Sequence, residues 1–140
     1  MLVLARWVVG ACTGLPLGDA AEAFGAALAG SAIAVADVFY FGESVLLPEY
    51  RGRGVGNAFF DHRKAHARAR RFRPAAFCTV DRDPGDPRRP PGDRGNDRFW
   101  RKRGYRPQPS LRMQLPWDEL ERGQLMHTLS FWTRPLEPAA

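Results

Sequence analysis

The stretch from Val38 to Arg71 constrains the fold more than any other part of the chain. An apolar run, VFYFGESVLL, is closed by Pro48; EYRGRGVGN follows, and a helical pattern begins at once in AFFDHRKAHARARR. This order predicts a strand over residues 38–47, a glycine-rich turn and a helix. A helix start leaves its first backbone N–H groups without partners and carries the positive end of the dipole, so an anion bound there supplies what is missing. Gly52, Gly54 and Gly56 have no Cβ, which frees the backbone to take positive φ and to approach a diphosphate closely. Arg51 and Arg53 add positive charge beside those amides. The expected phosphate cradle is Arg51, Gly52, Arg53, Gly54, Val55, Gly56 and Asn57.

The spacing narrows the ligand class. GRGVGN does not give the G-x-G-x-x-G of dinucleotide sites, and no Lys-Ser/Thr pair follows to make a Walker loop. Arg-x-x-Gly-x-Gly is present as Arg51, Gly54 and Gly56, preceded by LLPEY, and it resembles the acyl-CoA-binding motif of the GNAT superfamily of N-acetyltransferases. FWRKRGY, residues 99–105, resembles the later helix-to-strand segment of that superfamily, which ends in Gly-Phe or Gly-Tyr. The two motifs occur in the right order with one strand-like run between them.

The remaining residues fill in around that core. With 140 residues, 44% of them hydrophobic and 11% aromatic, the chain reads as one domain, 1–140, able to bury a core. Residues 2–5 and 7–13 read as a strand hairpin turning at Arg6, the second strand closed by Leu15, Pro16 and Leu17. Residues 19–34 read as a short helix with Asp19 as N-cap and Gly30 as stop, or as a loop, since Gly25 and Gly30 weaken it. After the turn, Val55, Ala58, Phe59, His62, Ala65, Ala69 and Phe72 make an apolar stripe expected to face the sheet. Residues 75–80 read as a strand parallel to the first through a right-handed crossover. Residues 81–98 are rich in Pro, Gly and Arg without periodicity and read as a mobile loop, one that could cover an acceptor site. FWRKRG is a short helical turn, and residues 111–117 and 128–133 read as antiparallel strands joined through DELERGQLMH.

Several function classes are disfavoured. No run of about 18 apolar residues exists to cross a membrane. Arg6 and Trp7 interrupt the apolar start, which argues against a signal peptide. Cys12 and Cys78 are too few for a disulfide framework or a zinc site and suit a reducing cytoplasm. His62 and His66 lie four apart, but no third ligand or adjacent Glu completes a metal site, so none is expected. A net charge of +6 keeps a basic nucleic-acid-binding module as an alternative. Lysine occurs only at Lys64 and Lys102, however, and an Arg, Ala, Gly and Pro bias accounts for much of that charge.

The GNAT resemblance implies more than the residues do. It implies an α/β (α+β) fold: a mixed sheet flanked by helices and splayed between its fourth strand, Val38 to Leu47 here, and its fifth, Ala75 to Val80, with acyl-CoA in the split. The strand and two helices that usually precede the first hairpin have no room, so the chain is expected to be a version shortened at its N-terminus. The resemblance implies acetyl-CoA as cosubstrate, no metal, and an amine acceptor of unspecified identity. It places backbone N–H groups around Ser44, Val45 and Leu46 against the thioester carbonyl. Glu43, the one carboxylate in that strand, resembles the residue some members use to take the amine proton, a task for which burial would poise it; a pocket-lining acid without a catalytic role is the equal alternative. Trp100 stands where a phenol often protonates the leaving thiolate, and Tyr105 matches a core aromatic, so no general acid is assigned. A shortened relative that binds CoA without turnover is a further alternative, and a homodimer through the last strands stays open.

Overall fold

Alternation along the central strands gives the sheet two buried faces, one covered by the helices Val55–Ala69 and Asp97–Lys102 and the other by the short helix Glu22–Ala26, whose Phe24 meets Tyr40. The computed structural model describes residues 7–92 and 95–137; the expected strand at 2–5 and the turn at Arg6 lie outside these residues. The elements are β1 (Gly10–Pro16), α1 (Glu22–Ala26), β2 (Phe39–Leu46), α2 (Val55–Ala69), β3 (Pro74–Val80), α3 (Asp97–Lys102), β4 (Arg106–Glu119) and β5 (Gly123–Pro135). They form one mixed sheet in the order β1-β2-β3-β5-β4. β2 and β3 are parallel, as the strand-helix-strand pattern requires, and every other pairing is antiparallel.

Successive side chains of a strand point to opposite faces, and the core divides accordingly. Val38, Tyr40, Ala76, Leu129 and Phe131 face one side, joined by Leu17, Leu28, Leu111 and Met113. Phe39, Phe41, Ala75, Phe77 and Trp132 face the other, where Ala67 of α2 and Tyr105 complete a layer flanked by Phe60, Phe72 and Trp100. Aromatic contacts knit this second face together: Phe60 meets Phe41, Phe77 and Tyr105 edge-on at 5.4–5.9 Å.

Several expectations are corrected. Leu15 and Pro16 do not close the strand before β2; they lie in β1, paired with Tyr40 and Phe39. The helix expected over 19–34 shrinks to α1, because Asp19 belongs to a preceding 3-10 turn, Leu17–Asp19, and Gly30 turns the chain at φ +78°. The strand expected to be covered throughout is buried only over Val38–Phe41, while Glu43, Ser44 and Val45 are exposed. The packing face of α2 is rotated from the expected stripe: Phe60, Arg63 and Ala67 turn inward and His62, Ala65 and Ala69 outward. The reason is that Arg63, polar by composition, packs its guanidinium over the Phe41 and Phe60 rings at 4.6 and 5.0 Å. DELERGQLMH is not a long connection. Strand pairing runs to Glu119 and Gly123, and Leu120–Arg122 make the turn, with Glu121 at φ +68°.

Candidate functional site

The site begins where β2 leaves β3. The two strands pair only at Phe39 with Ala75 and Tyr40 with Ala76, and beyond those pairs they diverge. A bulge accompanies the divergence: between the pairs Cys12–Ser44 and Gly14–Phe41, the single residue Thr13 stands opposite Gly42 and Glu43. An extra residue of this kind bends its strand. Alternate residues of a strand direct their N–H and C=O groups to opposite edges. Leu47 donates to Val9 O at 2.9 Å, toward β1, so the amides of Leu46 and Ser44 face the split and that of Val45 faces β1. Of the three amides expected at the thioester carbonyl, two are aimed into the opening.

At the outer end of β2 the chain passes through a 3-10 turn, Pro48–Tyr50, and the glycine turn into α2. Gly52 and Gly54 have φ of +74° and +83°, and a Cβ on either would meet nothing within 4 Å. Gly54 is the N-cap, with no side chain to close the helix end. The N–H groups of Val55, Gly56 and Asn57 are first-turn amides, which have no acceptor inside their own helix. Gly56 has no positive φ; its place is the approach to α3, where a Cβ would lie 3.8 Å from Phe99. Arg51 donates to Leu46 O at 3.3 Å, which sets its guanidinium at the mouth of the split. Arg53 lies over the Tyr50 ring at 5.2 Å. The Asn57 side chain is engaged by Arg103, which also pairs with Asp61 and so locks the start of α2 to the end of α3. Glycine backbone, free amides and positive charge thus converge at the end of the split, and among the described residues no side chain caps the helix, an arrangement that fits an acyl-CoA diphosphate.

The remaining candidates fall in different places. Glu43 is exposed on the bulge, so the burial expected of it is not found; its own N–H donates to Thr13 Oγ1 at 2.9 Å. Trp100 packs against Phe77 and Trp132 at 5.0 and 5.1 Å. Tyr105 is 1% exposed, its hydroxyl has no partner among the described residues, and burial pushes its phenol up to about 12 against the pull of Arg134, Arg63 and Arg103. It is a core aromatic, as its motif position suggested. Burial likewise pushes the Cys78 thiol up to about 12, which leaves little thiolate for nucleophilic work. His62 and His66 are exposed on α2.

A cavity of about 1000 Å³ lies beyond β3, between the loop after it and the β4–β5 hairpin, lined by Thr79, Val80, Arg82, Trp100, Trp117 and Glu119 among others. None of the cradle residues lines it. At its rim Glu119, whose side chain is 9% exposed, pairs with Arg88 and Arg82, and His127 stacks on Trp117 at 3.6 Å. The sequence reading missed this cluster and also missed Arg63. A period-two pattern through Leu111, Met113, Leu115, Trp117 and Glu119 was the available signal for the first.

No protein-family model and no curated protein matches the sequence. Solved structures do match the fold. A GCN5-related N-acetyltransferase from Kribbella flavida superposes with a TM-score of 0.54 at 19% identity, over 91% of this chain and 60% of that one. The ribosomal-protein-S18-alanine N-acetyltransferase from Escherichia coli gives a TM-score of 0.50 at 12% identity, over 76% of this chain and 59% of that one. The chain therefore spans about three fifths of the length of these structures. No helix among the described residues is long and apolar enough to cross a membrane. With its mixed sheet split between two parallel strands and a glycine turn opening the helix between them, the chain has the fold of the GNAT N-acetyltransferases.

Proposed function

We propose that the chain is an acyl-CoA-dependent N-acyltransferase that moves an acetyl group from acetyl-CoA directly to an amine. The observation that carries this reading is that the open amides of α2 and the amides of Ser44 and Leu46 border one and the same opening, the split between β2 and β3. The diphosphate is held by the backbone of Gly52 to Asn57, with Arg51 and Arg53 beside it. Bound there, the thioester supplies the acyl group, a C–N bond to the amine replacing the C–S bond while the thiolate takes a proton from water. Ser44 and Leu46 N–H donate to the carbonyl oxygen, where negative charge develops. Glu43, exposed at the bulge, takes the amine proton directly or through water. The transfer is direct, and the Cys78 thiol, which burial holds protonated, takes no part in it. Free Cys12 and Cys78 fit a cytoplasmic protein.

A second reading, a chain that binds CoA without turnover, is favoured by one observation: Trp100 sits in the aromatic core, and an indole supplies no practical acid for the leaving group. Two measurements separate these readings. Titration calorimetry with acetyl-CoA is expected to show binding, and a folded sample with none rules out both. Release of free thiol in the presence of an amine panel is expected for the transferase; binding without release leaves the second reading.

A further inference from the structure

We propose that Arg63 is a positioning residue for the split, holding through Thr13 the bulge that turns the outer half of β2 away from β3; this rests on the reading of the split as the acyl-transfer site. At the bulge the ladder is broken, so Thr13 C=O and Glu43 N–H lose the partners that regular pairing would give them. Such groups need acceptors and donors from elsewhere. Glu43 N–H donates to Thr13 Oγ1 at 2.9 Å. Arg63 reaches from α2 and donates from Nη1 to Thr13 O at 3.2 Å. Thr13 is thereby held at both its hydroxyl and its carbonyl. Gly42 leaves it space, since a Cβ there would stand 2.4 Å from Thr13 Oγ1.

Stability alone is a poor account of Arg63. The residue is 6% exposed, and among the described residues no carboxylate pairs with it and its Nε has no hydrogen-bond partner. Burial disfavours its charged form, yet a guanidinium stays protonated in proteins, so the charge is carried at a cost. An apolar side chain of similar length would lie between the Phe41 and Phe60 rings without that cost. What it could not do is donate to Thr13.

The experiment compares wild type with Arg63→Met, Arg63→Leu, Arg63→Lys and Thr13→Val. In Arg63→Met the melting temperature is expected to hold or rise, while exchange of the Glu43 amide with solvent speeds by about tenfold or more, on the scale of one lost hydrogen bond. The same variant is expected to lose kcat by about tenfold with KM for acetyl-CoA kept within about twofold, because the diphosphate cradle is untouched. Arg63→Lys recovers part of both losses. Thr13→Val removes the hydroxyl that accepts from Glu43 N–H and keeps the carbonyl that accepts from Arg63, so it calibrates the exchange readout, and Arg63→Leu, which also lacks a donor, decides the matter if Arg63→Met does not fold. Exchange and kcat of Arg63→Met, or failing that of Arg63→Leu, within about twofold of wild type overturn the proposal. A wild type that acetylates no amine sinks the transferase reading instead, and the exchange comparison then still decides the role of Arg63.

Discussion

Replacing Gly54 by Ala and, separately, Gly56 by Ala should move stability in opposite directions, although the two glycines are equivalent in the motif. Gly54 caps α2 at φ +83° with nothing within 4 Å of the position a Cβ would take. The cost of Gly54→Ala is therefore conformational rather than steric, about 1–2 kcal/mol for an L residue held left-handed. For a chain of this size about 3–4 °C of melting temperature accompanies each kcal/mol, so the expected loss is about 3–8 °C. Gly56 lies in the first turn of α2 without a positive φ, and its Cβ would meet Phe99 at 3.8 Å, an ordinary contact. Gly56→Ala should gain about 0.5 kcal/mol by reducing the freedom of the unfolded chain and supporting the helix. Thermal unfolding followed by circular dichroism reads both. Equal destabilisation by the two substitutions, or a Gly54→Ala variant as stable as wild type, would refute the assignment of the turn.

Other consequences follow from the core, the thiol and the hairpin. Phe131 is fully buried, so Phe131→Ala should cost about 3–5 kcal/mol and lower the urea midpoint by roughly 2 M; a shift below about 0.5 M would contradict the central place of β5. Burial raises Cys78 from 9.0 and Tyr105 from 10.0, each to about 12. Both groups favour the protonated form in the folded state, so their contribution is fully present below about pH 9 and is lost as pH rises from there to about 12. Urea midpoints should decline across that window, and less steeply in Cys78→Ala; an equal slope in the variant would show that Cys78 is not linked to folding. Glu119 holds Arg88 and Arg82 of the loop after β3, so Glu119→Ala should speed tryptic cleavage at that loop by several-fold, and an unchanged rate would mean the pairing does not restrain it.

The parts of the fold legible in the sequence are those where one physical signal dominates. The β2–turn–α2–β3 unit could be read because an apolar run, three glycines and a helical period follow one another directly. The long β4–β5 hairpin could not be read in full: Asp118, Glu119 and Gly123 to His127 lie in a stretch whose charged residues and glycine resemble a loop, and they are strand because each pairs across the hairpin. The inner face of α2 was misread by one position because Arg63 counts as polar, while its flat guanidinium packs like an aromatic ring between Phe41 and Phe60. At the site, the glycines of the turn were visible, but the division of labour among them was not, since φ is set by where the helix starts. The bulge left little trace beyond Gly42, because pairing Thr13 with two residues is a property of register.

The central claim is that the amides opening α2 receive a diphosphate. It is tested most directly by following backbone amide resonances while CoA is added. Displacement of Gly52 to Asn57, together with Ser44 and Leu46, is the result expected. Displacements confined to the cavity around Thr79, Trp100 and Trp117, or none at saturating CoA, would contradict it.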